Sequence, residues 1–243
     1  MVNGYDSSEN IRKLPMASIE FAENPEQRCA CVLLLDTSSS MSGERIDALN
    51  EGIRVLKKQI EEDDIASKRV ELAVVTFDTY VNVISDFSTV SNFNPVELNA
   101  SGVTSMTQAI NVAADMLEER KKVYKQNGIA YYRPWLFLIT DGEPTDEEGY
   151  ILEESDSRFK SAIKTLYNGV YGKQFTFFAV GVDEDAMPAL SKLCPKDPPA
   201  RLKDNKWKEM FKWLSSSLVT LSCSSMDQER VNLPNMTWGS VEI

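Results

Sequence analysis

A carboxylate and two hydroxyls follow the longest unbroken apolar run of the chain. Residues 29–35 are all apolar, Asp36 comes directly after them, and Ser38 and Ser40 follow at two-residue spacing. Such a run is typical of a strand buried on both faces of a sheet, and the turn that leaves it is where open α/β sheets bind ligands. Carboxylate and hydroxyl oxygens are the hard donors that Mg²⁺ prefers. The spacing therefore predicts a divalent-metal site.

Two further stretches offer the same kind of donor at the ends of other elements. Residues 101–107 contain Thr104 just before a helical pattern, and Asp141 follows the apolar strand candidate 135–140. Each loop alone is explained equally well by helix capping, because Ser, Thr and Asp are preferred N-cap residues. Three such loops meeting at one edge of a sheet favour metal binding instead.

The rest of the pattern predicts the fold that positions these loops. Apolar strand candidates alternate with residues at helical spacing. The strand candidates lie near residues 30–36, 70–77, 81–86, 135–140, 175–182 and 200–202. We expect an α/β, doubly wound, Rossmann-like sheet, mostly parallel with one antiparallel edge strand and with helices on both faces. In the strand order 3-2-1-4-5-6 the first and fourth strands are neighbours, so Asp36 and Asp141 would face each other across a crevice.

The chain of 243 residues is long enough for one well-buried α/β domain, and no glycine-rich linker divides it. We predict an N-terminal extension over residues 1–27, the α/β domain over residues 28–222, and a C-terminal tail over residues 223–243 that is packed on the surface or disordered. Within the extension, Ile19 and Phe21 are candidates for an additional edge strand.

The composition excludes several kinds of catalytic and structural site. The chain has no histidine, so it lacks the commonest general base, the commonest transition-metal ligand and any histidine-based catalytic triad. Its four cysteines show neither CxxC spacing nor a disulfide framework, and we expect reduced thiols in a cytoplasmic protein. No apolar segment approaches the ~18 residues of a membrane span, and the first 28 residues contain no segment of signal-peptide type.

Negative charge is concentrated beside one of the three loops. The net charge is −11, and residues 141–157 hold eight acidic side chains with no Lys or Arg. Such a surface would repel nucleic acid and anionic membranes, and it would attract cations and basic protein surfaces. Solvated surface is the ordinary explanation of an acidic run, and we expect it to apply to most of these residues.

The three loops together match a known pattern. Asp-x-Ser-x-Ser at residues 36–40, a separate Thr, and Asp-Gly after a hydrophobic strand resemble the metal-ion-dependent adhesion site of von Willebrand factor type A domains. The resemblance covers roughly residues 28–221. Four segments are similar, more narrowly, to the bacterial tellurium-resistance branch of TerY-like proteins: residues 31–38, 131–135, 138–142 and 211–215.

This resemblance implies a set of ligands. The metal ligands would be Asp36 and Asp141, directly or through water, and the hydroxyls of Ser38, Ser40 and Thr104. The implied ion is Mg²⁺, with Mn²⁺ or Ca²⁺ as alternatives. The family often has glycine at positions 39 and 107, where this chain has Ser and Thr. Thr107 is thus an alternative to Thr104, which we prefer because residue 107 should lie inside the helix.

A metal neutralised by two carboxylates stays attractive to a third, so we expect a protein partner that donates an Asp or Glu. The resemblance implies a role in bacterial tellurite or stress resistance, with a kinase or phosphatase of the same system among the partners. We expect no enzymatic activity. Two alternatives stay open: an Mg²⁺-dependent phosphohydrolase using Asp36, although haloacid-dehalogenase-like enzymes have a second Asp where this chain has Ser38, and a scaffold with a purely structural metal.

Overall fold

The computed structural model describes residues 16–225 and 231–241, which form a seven-stranded sheet in the order β3-β2-β1-β4-β5-β6-β7. The strands are β1 (Cys29–Asp36), β2 (Val70–Phe77), β3 (Val81–Thr89), β4 (Trp135–Thr140), β5 (Thr176–Gly181), β6 (Ala200–Leu202) and β7 (Gly239–Val241). The helices are α1 (Met16–Glu23), α2 (Glu44–Glu61), α3 (Ala66–Arg69), α4 (Met106–Gln126), α5 (Ser157–Tyr171), α6 (Met187–Leu193) and α7 (Trp207–Cys223).

The central strands explain the apolar runs in the sequence. Every residue of β1, β2 and β4 is buried, and β1 pairs in parallel with both neighbours. Parallel sheets covered by helices on both faces have continuous hydrophobic strands, since neither face meets water. The predicted strand order and the adjacency of β1 and β4 are confirmed.

Helices cover the two faces of the sheet with separate hydrophobic clusters. Cys31, Leu33 and Leu35 of β1 pack with α2 and α7, whereas Val32 and Leu34 pack with α4 and α5. This alternation follows from the two-residue period of a strand. None of the helices in the described parts of the chain is long and apolar enough to cross a lipid bilayer.

Antiparallel strands close both edges of the sheet. The predicted hairpin is present: β3 returns along β2 through a turn in which Asp78 N donates to Tyr80 O at 3.0 Å. At the other edge the tail supplies β7, antiparallel to β6, and Trp238 just before it is buried. We did not predict β7, because three residues are too few to show a period.

The prediction of an edge strand at Ile19 and Phe21 is wrong. These residues belong to α1, whose Phe21 ring packs edge-on against Tyr124 of α4 and lies beneath the Arg120 guanidinium. Burial against a helix on the sheet face places Phe21 away from both edges, so it has no strand partner. The first 15 residues of the predicted extension lie outside the described residues, and the predicted domain limits stay a prediction.

Candidate metal centre

Asp36 is fixed by donors from two neighbouring strands. It is the last residue of β1 and is fully buried. Its Oδ1 accepts a hydrogen bond from the backbone N–H of Ser38 at 2.8 Å, and its Oδ2 accepts one from Thr140 Oγ1 at 2.5 Å. Because Thr140 ends β4, the carboxylate is held at the carboxyl edge where the two strands lie side by side.

Hydrogen bonds extend from Asp36 to the other predicted carboxylate. The Ser38 and Ser40 hydroxyl oxygens are 3.0 Å apart, and Ser40 Oγ donates to Asp141 Oδ1 at 2.8 Å. The structure thus brings four of the five predicted ligands into one continuous run. Asp141 directly follows β4 and is buried.

The second loop joins the same cluster through its backbone. The Ser39 amide and hydroxyl both donate to Gly102 O, at 3.1 and 2.9 Å. Thr104 N donates to Thr145 Oγ1 at 2.9 Å, and Thr145 N donates to Thr104 O. Among the described contacts no hydrogen bond joins the Thr104 side chain to the other four predicted ligands. Thr107 is the second residue of α4, as expected.

Gly102 allows the second loop to approach the β2–β3 turn. Its φ is +72°, and a Cβ there would stand 2.3 Å from Thr79 Oγ1. Any other residue would therefore be strained and would push the loop away from Thr79. Thr104 lies two residues after this close contact.

The oxygen atoms fit a small hard cation. The two side-chain separations along the run, 3.0 and 2.8 Å, are ordinary hydrogen-bond distances, and they are also close to the separation of about 3 Å between neighbouring oxygens around an octahedral Mg²⁺ with bonds near 2.1 Å. In residues 16–225 and 231–241, no three His, Cys, Asp or Glu side chains form a group that could hold a metal. The donors in this cluster are two carboxylates and hydroxyls, which are the oxygen ligands that suit Mg²⁺, whereas zinc sites are built mainly from thiolates and imidazoles.

The electrostatic environment favours a cation beside Asp36. Burial raises the pKa of this carboxyl from 3.8 to about 6, its hydrogen bonds with Ser38 and Thr140 oppose the rise, and the negative charge of Asp141 adds to it. Two acidic groups so close together are stabilised in the ionised form by a positive charge between them.

Arg45 places a positive charge on Asp141 and was missed at the sequence level. It lies in the first turn of α2, where its Nη1 donates to Asp141 Oδ2 at 2.5 Å and its Nη2 pairs with Asp183 Oδ2. A cation in a first turn opposes the helix dipole, and this mismatch was the only signal in the sequence. Thr140 was also missed as a functional residue, although it directly precedes Asp141.

Comparisons with known proteins agree with this architecture. A family model described as von Willebrand factor type A domain matches residues 31–213. No curated protein sequence matches the chain at a significant level.

Solved structures share the fold at low sequence identity. They include a von Willebrand factor type A protein from Catenulispora acidiphila (18% identity, TM-score 0.58, 80% of this chain and 43% of that one). A D319A mutant of the PilB minor pilin from Streptococcus sanguinis matches at 14% identity and TM-score 0.56, over 78% and 61%. The pilus adhesin SpaC from Lactobacillus rhamnosus GG matches at 13% and 0.61, over 80% and 30%. The chain thus spans less than two thirds of each of these proteins.

Proposed function

The chain belongs to the von Willebrand factor type A family, and on that premise we propose that it is a metal-dependent protein-interaction module. Asp36, Ser38, Ser40, Thr104 and Asp141 hold one Mg²⁺, with Mn²⁺ or Ca²⁺ as alternatives, and a partner protein adds an Asp or Glu carboxylate. The observation that carries this proposal is the run of hydrogen bonds from Asp36 through the Ser38 backbone amide and the Ser38 and Ser40 hydroxyls to Asp141, at the carboxyl edge of the sheet.

The residues of the metal centre have different roles. Asp36 and Asp141 provide the charge that retains the cation, and the neutral hydroxyls provide further oxygens without cancelling its charge. The bound Mg²⁺ supplies positive charge that attracts the partner's carboxylate. Thr140 orients Asp36 by donating a hydrogen bond to its Oδ2. The Asp36 carboxylate is therefore held in position before a partner binds.

The surroundings indicate the partner's chemistry. The eight acidic residues between positions 141 and 157 would repel an acidic surface, so the partner's anchoring carboxylate is best surrounded by Lys or Arg. Tyr80 beside the second loop, and Tyr150 and Ile151 beside the third, are strongly exposed and offer apolar contacts around the anchor. These features support a protein partner rather than nucleic acid or a membrane.

The biological setting comes from the sequence resemblance. Four segments similar to TerY-like proteins support a cytoplasmic role in bacterial tellurite or stress resistance, with a kinase or phosphatase of that system as partner. The pilin and adhesin neighbours share the fold at identities of 13–14% and carry no argument about partners.

Binding is a better proposal than catalysis at this site. A phosphohydrolase that formed an intermediate on Asp36 would need an acid or base beside it, and the corresponding position holds Ser38. The chain has no histidine to replace it.

The test combines a metal titration with capture of a partner. Calorimetric titration should show Mg²⁺ binding by the wild type and by the control Asp64→Ala, whose exposed carboxylate follows the far end of α2, and none by Asp36→Ala. Affinity capture from bacterial lysate should retain the same partner with the wild type and the control in Mg²⁺, and lose it in EDTA or with Asp36→Ala. Capture that survives both EDTA and the substitution would refute the adhesion mechanism. Turnover of p-nitrophenyl phosphate that depends on Asp36 would favour the hydrolase.

A further inference from the structure

A guanidinium group lies inside the candidate metal centre. Arg45 Nη1 donates to Asp141 Oδ2 at 2.5 Å and to Ser40 O at 3.3 Å. The other oxygen of Asp141 accepts from Ser40 Oγ. Both oxygens of this buried carboxylate are therefore already occupied by donors from the chain itself.

A second carboxylate holds the same guanidinium from the outside. Asp183, two residues after β5, pairs with Arg45 Nη2. The Asp141 side chain is 0% exposed, whereas the Asp183 side chain is 43% exposed and that of Arg45 is 35% exposed. Arg45 thus bridges an inner carboxylate, which belongs to the ligand set, and an outer one, which does not.

Room exists for Arg45 to leave the inner carboxylate. Its side chain lines a cavity of about 650 Å³ that lies between the start of α2 and the start of α7, with Ser42, Glu44 and Trp207 among its walls. A guanidinium that releases Asp141 therefore has open space on this side, and Asp183 is its other partner.

We propose that Arg45 competes with the divalent metal for Asp141, and that Asp183 retains Arg45 when the metal binds. The proposal rests on the proposed metal-binding function. A monovalent guanidinium and a divalent cation repel each other when they share one buried carboxylate, since little water screens them. The Arg45–Asp183 pair therefore sets the metal concentration at which the centre loads and becomes able to bind a partner.

The competition predicts opposite effects for two neighbouring substitutions. Arg45→Met removes the charge and keeps a side chain of similar length, so Mg²⁺ should bind about tenfold more tightly. Asp183→Asn removes the outer acceptor and leaves Arg45 with Asp141 alone, so Mg²⁺ should bind several-fold more weakly. If Asp183 acts through Arg45, adding Asp183→Asn to Arg45→Met should change the affinity less than twofold.

The experiment is a set of calorimetric Mg²⁺ titrations on the full chain, with thermal unfolding in EDTA and in Mg²⁺ as a second measurement. Arg54→Met is the matched control, because Arg54 also lies on α2 and pairs with two carboxylates, Glu51 and Glu97, away from the metal centre. Arg45→Met should unfold at a lower temperature than the wild type in EDTA, since Asp141 loses its partner, and should show the larger rise on adding Mg²⁺. The control should have the Mg²⁺ affinity of the wild type and the same rise in unfolding temperature on adding Mg²⁺.

The outcomes separate the two proposals. If Mg²⁺ binding depends on Asp36 but the wild type binds Mg²⁺ as tightly as Arg45→Met or more tightly, the competition alone is overturned. An equal effect of Asp183→Asn in both backgrounds would also overturn it, because Asp183 would then act as a simple surface charge. Absence of Mg²⁺ binding in the wild type and in Arg45→Met alike would overturn the metal centre and the competition together.

Discussion

Asp36 ends β1 and Asp141 directly follows the adjacent strand β4, yet the two carboxylates have different hydrogen-bond partners. Asp141 is paired with the Arg45 guanidinium, whereas Asp36 accepts hydrogen bonds only from the neutral donors of Ser38 and Thr140 among the described contacts. A buried carboxylate without a cation is the group that gains most from a bound metal. At the scale of single residues, Asp36 is therefore the ligand that most needs the metal.

Without metal, the free energy of unfolding should depend on pH, because ionised Asp36 then has no cation beside it. Burial raises the pKa of Asp36 from 3.8 to about 6, so its contribution to stability is fully present below pH ~4 and is lost as the pH rises through 6. At one pKa unit per ~1.4 kcal/mol, the loss between pH 4 and pH 7 is on the order of 3 kcal/mol. The amide of Asp36→Asn does not ionise, so this variant should not show that loss of stability.

The measurement is urea unfolding in EDTA at several values between pH 4 and pH 7. The wild type should lose stability relative to Asp36→Asn across this range, and Asp64→Asn should follow the wild type. Parallel curves for the wild type and Asp36→Asn would show that the Asp36 carboxyl titrates normally.

At the scale of elements, a buried ion-pair cluster connects helices to one face of the sheet, and a glycine allows two helices to pack closely on the other face. Glu71 of β2 is fully buried and accepts from Arg28, Arg120 and Tyr124, and Arg120 also pairs with Glu20 of α1. This cluster connects α1 and α4 to the end of the sheet opposite the metal centre. On the other face, α2 and α7 approach closely at a glycine.

Gly52 should tolerate no side chain. A Cβ at this position of α2 would stand 2.0 Å from Cδ2 of Phe211, which is fully buried in α7. Overpacking of this kind costs about 1–3 kcal/mol, which exceeds the ~1 kcal/mol that Ala gains over Gly in a helix. Gly52→Ala should therefore lower the free energy of unfolding in a denaturant titration.

A second substitution tests the cause. Adding Phe211→Leu to Gly52→Ala should cost less than Phe211→Leu costs alone, because the smaller side chain leaves room for the new methyl group. Additive losses would mean that the two helices do not meet at this glycine.

At the scale of the whole molecule, the tail completes the sheet. Trp238 is 1% exposed, its ring lies 5.6 Å from that of Trp213, and β7 follows it directly. Its Nε1 is buried and has no hydrogen-bond partner in the described part of the chain. The tail thus contributes apolar packing to the domain at the edge far from β3.

Substitutions at Trp238 should separate packing from polar contacts. Trp238→Ala should destabilise the fold by about 3–5 kcal/mol, whereas Trp238→Phe keeps most of the ring and removes the unpaired N–H, so it should cost much less. Thermal and urea unfolding measure both, with the exposed Val241→Ala as control. A neutral Trp238→Ala would mean that the tail is dispensable.

Much of the fold was predictable because its signals are local. The continuous apolar runs of β1, β2 and β4 reflect burial on both faces, and the strand order was predicted by assuming the doubly wound order 3-2-1-4-5-6 for the alternating strands and helices. The β2–β3 hairpin followed from its short connection. The short strand β7 and the helix α1 gave no such signal, because three residues show no period and Phe21 is buried by an element distant in sequence.

The sequence by itself determined the α/β class, the central strands and the loops that carry Asp36, Ser38, Ser40, Thr104 and Asp141, since each is encoded in a few contiguous residues. Only the tertiary structure decided that Thr140 holds Asp36 and that Arg45 connects Asp141 to Asp183. Those partners stand about 100 residues or more apart. Contacts over such separations depend on how the whole chain folds, and no local period or composition specifies them.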